Sequence, residues 1–241
     1  MDRGTQPFTV PPSSTPSIAD ELIAHKISWA YFSEGWNQYV ADPNLSGQYC
    51  RSCNPFQYET KIMTGFDPTT GIPYRLTYLK DTTDFDDDVR GGELPAVSYV
   101  KPGALNDGHP ESSKMSIYEA FVKKIVNEVA ANPKLAADTA ILITVDEGGG
   151  YYDSGYIQQL DFFGDGTRIP LIIVSPYTKG GHVSHVYSDH ASVVKFIEAN
   201  WGLGPITSRS RDNLPNPVNG ADPYVPTNGP SISDLMAAFH F

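Results

Sequence analysis

Two adjacent carboxylates, Asp146 and Glu147, follow an apolar run at residues 140–145 and precede three glycines at residues 148–150. Carboxylate oxygens are ligands that divalent cations such as Mg²⁺ and Ca²⁺ prefer. Consecutive side chains of a strand point to opposite faces, so both carboxylates can serve one ion only where the backbone bends at once, and glycines permit that bend. The segment therefore predicts a divalent metal site at Asp146 and Glu147. The alternative is that Asp146 caps a turn while Glu147 is solvated.

A histidine in a second loop, His109, could act at the same place. It lies in an Asn-Asp-Gly-His-Pro sequence after a predicted strand at residues 95–100. Because the carboxyl ends of parallel strands meet at one edge of a sheet, we expect His109 to converge with Asp146 and Glu147. Such a histidine can donate to a phosphoryl oxygen or protonate a leaving group. The alternative is a surface loop residue held by the following proline.

Three further histidines, His182, His185 and His190, lie close together in the sequence. One interpretation is a zinc protein built on these side chains. However, Ser188 and Asp189 stand at the start of a predicted helix, where a serine can cap the first turn and an aspartate is stabilised by the helix dipole. The sequence favours this structural role for Asp189, which needs no metal.

The elements that must position these residues alternate along the chain. A helix is followed by a strand three times, and a further strand and two helices come after them. The alternation predicts an α/β protein with a mostly parallel sheet flanked by helices, and the apolar run before Asp146 is typical of a strand covered on both faces. The predicted helices cover residues 17–26, 79–90, 115–131, 188–201 and 231–241, and the predicted strands cover residues 27–32, 95–100, 140–145 and 169–174.

The charge balance limits the classes of partner. The 241 residues include 17 Lys and Arg against 28 Asp and Glu, a net charge of -11, which argues against a nucleic-acid partner. No apolar stretch approaches the roughly 20 residues that a bilayer span needs, so we expect no transmembrane segment. The first residues lack the apolar core of a signal peptide.

The two cysteines, Cys50 and Cys53, form a Cys-x-x-Cys pattern. This pattern is half of a zinc site and too little for a disulfide scaffold. A redox pair normally lies where a strand passes into a helix, whereas the surrounding sequence is typical of a loop, which argues against a redox function. The sequence leaves open whether the two thiols are joined or free.

Several of these segments together resemble the bacterial phosphoesterase family, which groups non-specific phospholipases C with acid phosphatases. The resemblance spans most of residues 17–204 and is carried by residues 92–102, 108–110, 143–153, 166–176 and 185–198. It implies an alkaline-phosphatase-like three-layer sandwich and a metal-dependent hydrolase of phosphate esters or phospholipids. It also implies that Asp146 and Glu147 bind the metal, that His109 is a phosphate binder or general acid, and that the protein is secreted or periplasmic.

The chain resembles only the carboxyl-terminal half of the family pattern. In relatives, the amino-terminal half supplies further metal ligands from a Glu-Asn sequence and the Ser or Thr nucleophile, and we find no equivalent here. We therefore predict a linker or remnant junction at residues 1–16 and the carboxyl-terminal part of a phosphoesterase domain at residues 17–241. Two positions also depart from the family: Cys53-Asn54 stands before Pro-Phe where relatives often have a histidine, and Ser154 replaces the histidine of Tyr-Asp-His.

Half of a site would bind metal weakly, because two carboxylates leave most of about six coordination positions to water. We expect the chain to be incomplete as an enzyme on its own. The absence of the first strands of a sheet would also expose apolar surface, which predicts a homo-oligomer or a complex with a complementary amino-terminal half. The alternative function is a non-catalytic α/β binding or interaction module that keeps a vestigial acidic pocket.

Overall fold

A computed structural model describes residues 12–44, 47–153, 155–158, 162, 164–222 and 224–240. The chain divides into two compact units. The first comprises Met1–Pro16 and Leu22–Ala136, and the second comprises Ser17–Glu21 and Ala137–Phe241. The linker at residues 1–16 and the domain at residues 17–241 stay predictions, and residues 1–11 of that linker lie outside the described part of the chain.

Helices and short strands follow one another along the chain. The described helices are α1 (Ile18–Ala24), α2 (Trp36–Ala41), α3 (Thr60–Thr64), α4 (Tyr74–Tyr78), α5 (Thr82–Gly91), α6 (Met115–Ala131), α7 (Pro133–Ala136) and α8 (His190–Trp201). The described strands are β1 (Trp29–Ser33), β2 (Leu79–Asp81), β3 (Val97–Lys101), β4 (Ile141–Thr144) and β5 (Leu171–Val174). None of these helices combines the length and the apolar composition that a bilayer span requires.

The first unit is built on a parallel sheet of three strands in the order β2-β1-β3. In the central strand, Tyr31 pairs with Leu79 of β2 on one side and with Tyr99 of β3 on the other. The connections between these strands contain helices, as parallel pairing requires, and α4 and α5 contact β1. All five residues of β1 are buried. This sheet with its flanking helices confirms the predicted α/β class.

The core of the first unit packs against both faces of β1. Phe32 is fully buried, and its ring meets that of Phe85 in α5 edge to face, with centroids 5.5 Å apart. Successive strand residues face opposite sides, so Trp29 lies on the other face, where it stacks on Tyr78 with centroids 4.4 Å apart. These contacts fix β1 and therefore also the residues that follow its carboxyl end.

The helix predicted at residues 79–90 begins later, at Thr82, because β2 takes the first three of these residues. Asp81 is the residue that divides strand from helix. Its carboxylate accepts the N–H of Thr83 at 3.2 Å, and the carboxylate of Asp84 accepts the N–H of Asp81 at 2.8 Å. This reciprocal capping box fixes the first turn of α5.

The second unit contains a separate pair of strands, and here the structure differs from the prediction of a parallel sheet. β4 pairs with β5 in antiparallel orientation, with Thr144 opposite Leu171. The described residues between the two strands include no helix, and a parallel pair needs a long crossover, so the chain turns back on itself. β4 is half-buried and three residues of β5 are exposed, so the prediction of a strand covered on both faces is wrong.

The start of α8 confirms the structural role predicted for Asp189, although Asp189 itself, rather than Ser188, is the cap. The Asp189 carboxylate accepts the N–H of Ser192 at 3.2 Å, and the Ser192 hydroxyl accepts the N–H of Asp189 at 3.1 Å. Arg211 donates from Nε to the other carboxylate oxygen of Asp189 at 2.7 Å. The helix begins at His190, two residues later than predicted, and it ends at Trp201 before a left-handed glycine, Gly202, as predicted.

Two carboxyl groups, Glu198 of α8 and Asp212, are buried together in the second unit, each with 5% of its surface exposed. Burial raises the pKa of Glu198 to about 8, and the charge of Asp212 and a hydrogen bond to it act in the same direction. Native Glu198 therefore holds a proton at neutral pH that an ordinary glutamate releases.

We expect this proton to make stability fall as pH rises from about 4.5 to about 8. In that window the native state binds one more proton than the unfolded chain, so the free energy of unfolding declines with pH. Glu198→Gln keeps the side chain neutral and should remove up to about 4 kcal/mol of the decline between pH 5 and pH 9. Denaturant unfolding across this range measures it, with Glu119→Gln at an exposed position of α6 as control. A Glu198→Gln curve that parallels the wild type would contradict the expectation.

The helix predicted at residues 231–241 is wrong, since the described part of this segment forms a single 3₁₀ turn at Met236–Ala238. The residues before the turn are held in extended form by distant partners. Ile232 donates its N–H to the carbonyl of Pro215 at 3.0 Å, and Ser233 donates to Tyr187 at 3.0 Å. These bonds give the backbone long-range partners that a helix would not offer.

Cys50 and Cys53 are joined by a disulfide, with Cα atoms 5.3 Å apart. Of the two states that the sequence leaves open, the structure has the oxidised one. The Tyr31 hydroxyl donates to the carbonyl of Cys53 at 2.7 Å, and the next residue, Asn54, is only 1% exposed. The departure from the family pattern at Cys53-Asn54 therefore lies against the core of the first unit.

Candidate functional site at the strand ends

The chain bends immediately after the acidic pair at the end of β4. Asp146 and Glu147 are both exposed, and the Glu147 carboxylate accepts the N–H of Gly149 at 2.6 Å. Gly149 and Gly150 have φ of 62° and 74°, a region that favours glycine. The bend that the sequence predicts is therefore present, and it leaves two carboxylates on the surface at one strand end.

The donor chemistry of this pair suits a hard divalent cation, with water completing the coordination. Within the described part of the chain, no group of three or more His, Cys, Asp or Glu side chains is arranged to hold a metal ion. Among the described residues, the candidate metal ligands at the end of β4 are thus the two carboxylates of Asp146 and Glu147. The metal role of Asp146 and Glu147 stays a prediction.

The loop that follows the glycines is tied to the approach to β5 by an ion pair between Asp153 and Arg168. The Asp153 carboxylate accepts from Arg168 Nε at 2.9 Å, from Nη2 at 2.5 Å and from the backbone N–H at 2.8 Å, and it also accepts the N–H of Gly155. Hydrogen bonds from the Arg168 side chain hold the pKa of Asp153 well below its usual range. Sequence reasoning placed Arg168 in a family segment but gave it no role.

The structure does not bring His182, His185 and His190 together as a zinc site. The ring of His185 lies edge to face with Tyr224, with centroids 4.8 Å apart. His190 Nε2 lies 2.9 Å from the carbonyl oxygen of Val145, the residue before the acidic pair. His190 therefore steadies the strand end that carries Asp146, a contact that its position in the sequence does not reveal.

In the first unit, sequence reasoning missed Glu34, which follows the carboxyl end of β1. The Glu34 carboxylate accepts the N–H of Gly103 at 2.8 Å and the side-chain amide of Asn106 at 2.8 and 2.9 Å. Its own N–H donates to the carbonyl of Lys101 at 3.1 Å. Glu34 thereby ties β1 to the loop after β3 at the carboxyl edge of the parallel sheet, the edge at which α/β sheets bind ligands. The Ser-Glu-Gly sequence after an apolar strand was the available signal.

His109 lies further along the same loop and is exposed. Asp107 accepts the N–H of His109 at 3.0 Å and also pairs with Lys101 at 3.6 Å. His109 Nδ1 accepts the N–H of Glu111 at 3.2 Å. His109 belongs to the first unit, whereas Asp146 and Glu147 belong to the second, so their convergence in one site stays a prediction.

We expect Glu34→Ala to lower the free energy of unfolding by about 2 kcal/mol, because the buried N–H of Gly103 and the Asn106 amide lose a charged acceptor. Denaturant unfolding and amide hydrogen exchange at Gly103 measure the effect. Glu93→Ala, which removes an exposed carboxylate from the same unit, is the matched control and should change stability little. A Glu34→Ala variant with the stability and exchange of the wild type would show that Glu34 does not hold the loop.

These features define an α/β protein whose polar side chains gather at the carboxyl ends of its strands. The sequence model of the Phosphoesterase family matches residues 2–204, and the chain belongs to this family.

Curated relatives of the chain are named phospholipase C or acid phosphatase. The chain is 31% identical over 216 residues to the hemolytic phospholipase C of Pseudomonas aeruginosa, covering 76% of this chain and 29% of that protein. It is 26% identical over 197 residues to an acid phosphatase of Aspergillus niger, covering 80% of this chain and 43% of that protein. It is 28% identical to phospholipase C B of Mycobacterium tuberculosis, covering 50% of this chain and 27% of that protein. The chain thus matches less than half the length of each of these relatives.

Proposed function

We propose that the protein hydrolyses phosphoric esters with a divalent cation bound by Asp146 and Glu147. The observation that carries the proposal is the acidic pair at the bent end of β4 in a chain of the Phosphoesterase family. The relatives named phospholipase C and acid phosphatase support phosphoric ester hydrolysis as the reaction class.

The reaction transfers a phosphoryl group from an alcohol oxygen to an acceptor oxygen and finally to water, and the leaving alcohol gains a proton. A bound cation would neutralise charge on the phosphoryl oxygens. His109 would serve as the phosphate binder or general acid. Because its Nδ1 accepts the N–H of Glu111, the neutral ring carries its hydrogen on Nε2, and this N–H can donate a hydrogen bond to a phosphoryl oxygen. As a general acid, His109 would act from its imidazolium form, which returns to the neutral ring when the leaving oxygen takes the proton.

We also propose that the nucleophile comes from residues outside these 241. The family resemblance implies a Ser or Thr nucleophile in a segment with no equivalent here, and the chain matches only 29–43% of the phospholipase C and acid phosphatase named first above. Turnover by this chain alone, at the rate of the full native protein, would contradict this part of the proposal.

The test of the function is hydrolysis by the full native protein, with Mg²⁺, Ca²⁺, Mn²⁺ or Zn²⁺ added in turn. An aryl phosphate monoester, an aryl phosphodiester and a phosphatidylcholine dispersion represent the acid phosphatase and phospholipase C classes. Hydrolysis of any of them supports the proposal and assigns the substrate class. Saturable binding of a phosphate ester without turnover would overturn it in favour of a binding module.

Export from the cytosol and association with a partner belong to the same proposal. The Cys50–Cys53 disulfide supports an oxidising compartment, where such bonds persist. The exposed apolar side chains of β5, including Ile172 at 55% exposure, support a second copy or a complementary segment covering this strand. Sedimentation of the purified chain should show an assembly larger than one chain, and a well-folded monomer would count against it.

A further inference from the structure

Arg168 lies at the same strand end as the acidic pair. Counting on from the antiparallel register of β4 and β5 places Glu147 opposite Arg168 and Gly148 opposite Thr167. The contact between the second pair agrees with this count, because a side chain built on Gly148 would collide with the Thr167 hydroxyl. The edge that carries two carboxylates therefore also carries one guanidinium.

This guanidinium is held in one orientation by a nearly buried partner. The Asp153 side chain is 9% exposed, whereas that of Arg168 is 60% exposed. Nε and Nη2 of Arg168 point at Asp153, while Nη1 makes no hydrogen bond to a described residue. The inner edge of the guanidinium, formed by Nε and Nη2, thus fixes the side chain. Its outer edge, which includes Nη1, presents N–H donors to solvent.

The outer edge has the chemistry of an oxyanion site. Parallel N–H groups of a guanidinium match the oxygens of a phosphate, and fixing the side chain beforehand lowers the entropic cost of binding. A phosphate placed beside Asp146 and Glu147 would otherwise meet two negative charges. A purely structural role, in which the ion pair ties two loops together, explains the hydrogen bonds from Arg168 to Asp153. It does not use the N–H groups on the exposed outer edge of the guanidinium.

We infer that Arg168 binds the phosphoryl group of the substrate, with Asp153 as the residue that positions it. The inference rests on the proposed function and deepens it, since it adds an anion-binding side chain to the strand end that carries Asp146 and Glu147. It concerns recognition of the phosphate itself, which monoesters, diesters and the product share.

The test is the binding of inorganic phosphate to the full native protein, measured by calorimetric titration with and without Mg²⁺. Arg168→Gln should weaken binding about tenfold or more, because it removes charge-assisted hydrogen bonds. Arg168→Lys keeps the charge but not the parallel N–H groups of the planar guanidinium, and it should lose part of the affinity for phosphate. Asp153→Asn leaves the guanidinium present but less firmly oriented and should also weaken binding. Arg90→Gln is the matched control, because Arg90 is an exposed arginine paired with Asp87 at 2.6 Å.

Phosphate affinity equal to the wild type in Arg168→Gln would overturn the inference, as would a wild-type protein that binds no phosphate. If Arg168→Gln does not fold, Arg168→Lys decides: unchanged affinity overturns the inference and reduced affinity supports it. These outcomes are separate from those of the proposed function. A protein that binds phosphate through Arg168 but hydrolyses no ester would contradict the function and leave this inference standing.

Discussion

Replacing Asp146 by asparagine is expected to lower the hydrolysis of phosphate esters by the full native protein about a thousandfold or more. The substitution keeps the shape of the side chain but removes one of the two negative charges at the end of β4. An uncharged amide is a much poorer ligand for a divalent cation than a carboxylate. Glu147→Gln removes the other charge and should have an effect of similar size. Initial rates of hydrolysis, at a metal concentration that saturates the wild-type protein, measure both effects.

A matched control separates loss of the site from general damage. Asp138→Asn makes the same chemical change at an exposed position shortly before β4 and should leave turnover unchanged. Binding of Mn²⁺, followed by equilibrium dialysis, gives a second measurement that does not depend on turnover, and Asp146→Asn should weaken it. Undiminished turnover in Asp146→Asn would remove the acidic pair from the mechanism.

The largest expected effect on stability is that of Phe32→Ala, which should lower the free energy of unfolding by about 3–5 kcal/mol. Phe32 is fully buried at the centre of the parallel sheet and packs edge to face on Phe85. Its truncation removes apolar contacts and leaves a cavity between β1 and α5, which the rigid sheet cannot close.

The fluorescence of the first unit reports this loss, since Trp29 and Trp36 are both buried there. Phe66→Ala makes the same substitution at a side chain that is 59% exposed, and it should cost less than about 1 kcal/mol. Equal losses in the two variants would mean that the sheet centred on β1 is not the core of this unit. The two units can unfold in separate steps, so the transition of the first unit is the one to compare.

Local patterns in the sequence predicted the elements whose boundaries depend on neighbouring residues. The helix predicted at residues 115–131 is α6 with the same bounds, because its apolar stripe is long. α8 ends at Gly202 because a left-handed glycine closes helices through local hydrogen bonds. The bend after Asp146 was likewise predictable from three consecutive glycines.

Features that depend on distant residues could not be predicted in this way. Residues 79–81 read as helix from their own sequence but pair with β1 as a strand, and β4 finds an antiparallel partner in β5. The role of Glu34 rests on hydrogen bonds to a loop about seventy residues away in the sequence. The orientation of Arg168 depends on its hydrogen bonds to Asp153. No periodic pattern in the sequence indicates that these two residues pair.

The most direct test of the account is the rate of phosphate ester hydrolysis by the full native protein, first stripped with a chelator and then titrated with a divalent cation. We expect no turnover in the stripped protein and a saturable return as the cation is added, with no return in Asp146→Asn. Full turnover in excess chelator, or equal restoration in Asp146→Asn, would contradict the proposal that Asp146 and Glu147 bind a metal required for the reaction.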